Sequence, residues 1–226
     1  MFKEFIGTLT SKPDKLVEAG RGLLSNPLYL ILLGILVLGF VGLLSLKKIK
    51  LETKTMTQIA ALLAVATVLN MMIVFRLPQG GSVTLASMVP IYLLALAYGP
   101  AIGMLAGMLF GIIDLFLGAS IYHPIQVLLD YPLAFMFIGL VAFFPKKVNL
   151  GMLVATSMRL LCHVLSGYIF FGAYAPEGTH PLVYSFVYNA TFLISDLFIA
   201  ALVMNFMPIN RLIKGLNKQA EDIKMW

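Results

Sequence analysis

The stretch LGMLVATSMRLLCHVLSGYIFFG, residues 150–172, decides how this chain is to be read. An apolar run of about 18 or more residues crosses a hydrocarbon core of about 30 Å as a helix, and this run is long enough. Inside it, Arg159, His163, Gly167 and Phe171 follow one another at intervals of four, so one helix stripe carries a cation, an imidazole, a gap and an aromatic ring. Ionisable groups are costly in lipid and face a cavity or a partner. The stretch therefore predicts a membrane helix; a stripe at this spacing is more often plain helix packing than a functional face, and only other polar groups at the same depth favour the latter.

Working outward, comparable runs lie near 27–46, 56–75, 82–98, 101–118, 124–144 and 183–208, separated by Pro, Gly-Pro or Lys-rich breaks. Of the whole chain 60% is hydrophobic and 12% charged, with mean hydropathy +0.95, against about 25% charged residues in soluble domains. The fold expected is an all-α integral membrane protein. The net charge of +6 sits in short segments between the runs, as topology and not nucleic-acid binding places it. Cys162 is the single cysteine and has no partner for a disulfide.

Placing Lys47, Lys48, Lys50 and Lys54 inside also places Lys146, Lys147, Arg211, Lys214, Lys218 and Lys224 inside, leaving Arg76 in an outer loop. Lys3, Lys12, Lys15 and Arg21 then fall outside, diluted by Glu4, Asp14 and Glu18. The run 27–46 reads as an added anchor, and residues 1–24 as an interfacial or disordered segment. Three regions follow: 1–54 with the extra helix and basic loop, a 55–210 membrane core, and a 211–226 cytoplasmic tail.

No phosphate-binding G-x-x-x-x-G-K-[ST] loop, H-E-x-x-H helix or G-x-S-x-G turn is present, which disfavours an enzyme and leaves no resident cofactor or metal to expect. The polar residues within apolar runs are Asp114, Asp130, Arg159, His163, Asn189 and Asp196. Counted from the outer helix ends at about 1.5 Å per residue, Asp130, His163 and Asn189 lie about 10–13 Å deep, and Arg159 and Asp196 about 20 Å. The first three are expected to share a pocket and the last two to form an ion pair, with Asp114 the competing partner for Arg159.

Six segments carry a more specific signal: Pro78-Gln-Gly-Gly-Ser-Val83, His123-Pro-Ile-Gln-Val-Leu-Leu-Asp-Tyr131, His163-Val-Leu-Ser-Gly167, Phe170-Phe-Gly172, Ala175-Pro-Glu-Gly-Thr179 and Tyr184-x-x-x-Tyr-Asn-Ala-Thr191. Together, in this order, they resemble the thiamine-specific S components of energy-coupling factor transporters over roughly residues 56–208. The resemblance implies a six-helix core that binds thiamine near the outer face of a bacterial cell membrane. It also implies docking on a transmembrane coupling subunit driven by two ATPases.

Position by position, the resemblance assigns the ligand carboxylate to Asp130, followed by Tyr131, the pocket histidine to His163, the stacking ring to Phe171, and a polar pair to Tyr184 and Asn189. Some relatives have Glu at position 130 and Trp at 171, and a lid tryptophan has no match here, so closure falls to the loop with Gly81 and Ser82. A partner interface is expected at the small-residue pair Ala60 and Ala64, equally suited to internal packing. Competing readings are an S component for another cationic or aromatic vitamin, an intramembrane enzyme, and a structural subunit that binds nothing tightly.

Overall fold

The computed structural model describes residues 53–117 and 121–217. The anticipated run 27–46 and the segment 1–24 lie outside the described residues. Seven helices follow in order: α1 (Thr53–Met71), α2 (Val89–Tyr98), α3 (Pro100–Phe116), α4 (Pro124–Phe143), α5 (Val148–Phe170), α6 (Pro181–Phe206) and α7 (Ile209–Leu216). Of these, α1, α4, α5 and α6 are long and apolar enough to cross a bilayer. The chain is a multi-pass, all-α membrane protein, with one small hairpin added. Its outer surface is apolar, with Val68, Ile194 and Phe198 exposed, the inverse of a soluble fold and suited to lipid.

Two of the expected spans need correction. Residues 56–75 do not continue as helix to their end, and 82–98 is not one continuous helix. Instead Ile73–Arg76 (β1) and Ser82–Thr84 (β2) pair antiparallel, Phe75 opposite Val83 and Arg76 opposite Ser82. The β-branched and aromatic Ile73-Val-Phe75 favours a strand, and Gly80, at φ 100°, supplies the turn that a side chain resists. That leaves α2 with 10 residues, about 15 Å of helix and half a bilayer core. Ile91, Leu94 and Ala95 in it are fully buried, so α2 is a core element and not a lipid-facing span.

Prolines open most of these helices. Pro90, Pro100, Pro124 and Pro181 stand in the first turns of α2, α3, α4 and α6, where the missing N–H costs nothing. Pro132 is different, because it lies inside α4. It has no N–H to return to the preceding turn, and residues Leu129–Leu133 widen into a π-helical turn, a distortion often found at functional sites. Asp130 and Tyr131 stand on that turn.

Helix α3 meets its neighbours through Gly103, Gly107 and Gly111, one every four residues. A Cβ at Gly107 would lie 2.1 Å from the carbonyl oxygen of Phe135, and one at Gly111 2.4 Å from that of Tyr131. Backbone-to-backbone contact of this kind is how membrane helices gain packing without a hydrophobic drive. It fixes the widened turn of α4 against α3.

On the side bearing Lys54 and Lys214, α7 folds back on the ends of α1 and α2. The Leu216 carbonyl accepts from Gln58 Nε2 at 3.0 Å and from the Tyr98 hydroxyl at 2.7 Å, and Asn217 Nδ2 donates to the Ala97 carbonyl at 3.1 Å. Tyr98 and Gln58 also bond each other. Ala60 and Ala64 are both exposed on α1, while Ile59, Leu63 and Ala66 form its buried stripe. Among the described residues, then, no internal packing covers that alanine pair.

Candidate functional site

The hairpin, the outer half of α5, α6 and the distorted turn of α4 enclose a cavity of about 400 Å³. Asp130, Tyr131, His163, Phe171, Tyr184, Asn189, Gly81 and Ser82 all line it. The structure thus brings together every residue singled out for the ligand, from four separate stretches of chain.

At its centre is Asp130. One carboxylate oxygen accepts from Gln126 Nε2 at 2.7 Å and from the Ser166 hydroxyl at 2.7 Å, and the other lies 3.0 Å from His163 Nδ1. Gln126 stands one turn before Asp130 on α4, and Ser166 three residues after His163 on α5, so both belong to faces already marked as functional. Neither was anticipated, although the i, i+4 and i, i+3 spacings were in plain view. His163 Nε2 is buried without a partner among the described residues. With Nδ1 donating to the carboxylate, a neutral imidazole presents Nε2 as an acceptor.

Asn189 Nδ2 donates to the Ser185 carbonyl at 2.8 Å and to the His163 carbonyl at 3.2 Å, tying α6 to α5 beside the imidazole. The close approach needs Gly167, where a Cβ would lie 2.2 Å from Ser185 Oγ. At the rim, Phe171 meets Tyr122 edge-on with ring centroids 4.8 Å apart. His123 caps α4 through Nδ1, which accepts from Ile125 N at 3.1 Å. Burial pushes its imidazole pKa down, which keeps that nitrogen free to accept.

Tyr188 supplies a contact that sequence reasoning missed. Its hydroxyl oxygen accepts from the backbone N–H groups of Gln79 at 3.1 Å and Gly81 at 3.2 Å, pinning the turn of the hairpin to α6. Gly81 itself packs on the Phe192 ring, where a Cβ would come within 2.7 Å.

Deeper in the cavity, Arg159 Nη1 lies 3.6 Å from Asp196 Oδ2, so the expected intramembrane pair is present. Both residues are buried, at 8% and 5% exposure, and the guanidinium also lies 4.2 Å from the centroid of the Phe135 ring, within cation–π range. Asp196 Oδ1 accepts from Thr84 N at 3.1 Å and Thr84 Oγ1 at 3.0 Å. Asp114, the competing partner, instead accepts from Asn70 Nδ2 at 2.6 Å.

Comparison with known proteins bears on the family and the fold. The family described as Thiamine transporter protein matches residues 56–214. The thiamine transporter ThiT of Bacillus subtilis is 34% identical over 179 residues, covering 70% of this chain and 93% of that protein. ThiT of Lacticaseibacillus paracasei is 35% identical over 122 residues, 45% of this chain and 61% of that protein. A solved structure of ThiT from Listeria monocytogenes aligns with a TM-score of 0.64 at 24% identity, covering 70% of this chain and 96% of that one, and shows the shared fold. These relatives are named for membrane transport, a role without catalysis. On the family match and the identity to the Bacillus protein together, the chain belongs to the thiamine transporter protein family.

Proposed function

We propose that this chain is the thiamine-capturing subunit of an ATP-driven, energy-coupling-factor uptake system in a bacterial cell membrane. The observation that carries the reading is the Asp130 cluster: a carboxylate held by three protein donors, beside an imidazole whose Nε2 is buried with no partner among the described residues. An aminopyrimidine presents N–H donors and ring acceptors side by side. Asp130 and His163 Nε2 complement the donors, and the Asn189 amide adds an acceptor through Oδ1. A site built on such bonds rejects analogues that leave its buried groups unpaired. Phe171, Tyr184 and Tyr131 supply aromatic faces for the rings and for the thiazolium charge.

Energy has to come from elsewhere, because the sequence contains no nucleotide-binding loop. The exposed Ala60 and Ala64 on α1 suit close approach by a helix of a coupling subunit. Calorimetric titration of the purified chain with thiamine, and with its mono- and diphosphates, tests the binding half. Tight, stoichiometric thiamine binding is expected, and its absence refutes the assignment. In liposomes, accumulation against a gradient is expected when a coupling subunit and its two ATPases are co-reconstituted with ATP; ATP-dependent accumulation by the chain alone refutes the division of labour.

A further inference from the structure

We infer that Asp114, oriented by Asn70, forms a second subsite of the same cavity that recognises the fixed positive charge of the ligand; this rests on the thiamine reading above. Asp114 and Asn70 both line the cavity with Asp130. Their placement follows from the glycine contact between α3 and α4. Gly111 lies against the carbonyl of Tyr131, and Asp114, three residues on, stands about 4.5 Å further along the same face of α3. The carboxylate is therefore about one helical turn from the crossing that holds the Asp130 cluster.

The charges of the cavity single it out. Three carboxylates line the cavity, those of Asp114, Asp130 and Asp196, together with the guanidinium groups of Arg76 and Arg159. Asp196 has Arg159 and two donors from Thr84. Asp130 has Gln126, Ser166 and His163. Asp114 has the Asn70 amide on Oδ1, and among the described residues its nearest positive groups, Arg159, His163 and Arg76, act on it only from beyond ion-pair distance. A carboxylate with one neutral donor in a partly desolvated site is the one that gains most from a cation.

The chemistry of the two subsites matches the two halves of the ligand. A thiazolium nitrogen is quaternary and has no N–H, so it is recognised by charge and not by donation. A carboxylate with free lone pairs serves it, whereas the donor-rich Asp130 cluster serves the aminopyrimidine. The plain competitor is a structural tie between α1 and α3 through the Asn70–Asp114 bond. A neutral amide at position 114 would make that tie equally well, and the difference between the two roles lies in the charge.

The test is calorimetry on the purified full chain with thiamine and with 3-deazathiamine, the uncharged isostere in which carbon replaces the thiazolium nitrogen. Wild type is expected to prefer thiamine by about tenfold or more, and Asp114→Asn to reduce that preference to about threefold or less by weakening thiamine alone. Asp114→Glu should retain the preference. If Asp114→Asn does not fold, Asp114→Ser reads the same ratio. An unchanged ratio in the neutral variant overturns this subsite alone, as does a wild type that binds both compounds equally. No thiamine binding by wild type overturns the parent reading and the subsite with it.

Discussion

Replacing Asp130 by Asn tests the centre of the site, and the geometry sets two separate magnitudes. The carboxylate accepts from Gln126, Ser166 and His163, which leaves about one of its four acceptor positions for a ligand. Removing the charge from a desolvated group paired with the ligand costs about 2–5 kcal/mol of binding, so thiamine affinity should fall by well over tenfold. The protein also feels the change. An amide has one oxygen where the carboxylate had two, so one of the three donors faces an N–H₂ group, a mismatch worth about 1–3 kcal/mol. A neutral isostere would relieve a buried carboxylate that stood alone, but three donors already solvate this one. A modest fall in thermal stability is therefore expected with the large loss of binding. Calorimetry and a detergent melting curve on the same preparation separate the two. Near-wild-type thiamine affinity in a folded Asp130→Asn protein would refute the assigned site.

Three further outcomes follow from contacts outside that cluster. Arg159→Met should destabilise the fold by about 3–5 kcal/mol, because it strands a buried Asp196, and the double variant Arg159→Met with Asp196→Leu should recover part of the loss; full stability of the single variant by thermal melting would contradict the pairing. Tyr188→Phe keeps the ring but removes the acceptor for Gln79 and Gly81, so thiamine dissociation measured by stopped flow should accelerate severalfold while thermal stability falls by about 1–2 kcal/mol. Gly107→Ala puts a methyl 2.1 Å from the Phe135 carbonyl and should lower the melting temperature and weaken thiamine binding together; an unperturbed melt would mean that α3 and α4 are not in backbone contact.

Much of the site was legible because its signals are local. Polar residues within apolar runs are few, and depth counting placed Asp130, His163 and Asn189 at one level and Arg159 and Asp196 at another; the distances bear out both groupings. What hydropathy could not see is backbone shape. Ile73-Val-Phe75 is as apolar as the helix before it, and a sliding average does not distinguish strand from helix in so short a run. Gly103, Gly107 and Gly111 were in plain view as a stripe of small residues, yet only the packed structure shows which backbone they meet. Asp114 read as a lesser partner for Arg159 because depth along a helix says nothing about the direction a side chain faces.

The buried ion pair and the hairpin explain each other. Non-helical backbone at membrane depth is tolerated only where protein or a cavity satisfies its polar groups, and β1 and β2 make just one narrow ladder. Asp196 accepts from both the backbone N–H and the hydroxyl of Thr84 at the foot of β2, and Tyr188, eight residues earlier on α6, accepts from the two N–H groups at the turn. One helix thus holds the hairpin at two heights, over the cavity and beside it. A carboxylate doing this so deep in the bilayer requires a counter-charge, and Arg159 on α5 provides it. The pair that hydropathy marks as an expense is what allows an irregular segment to form one wall of the site.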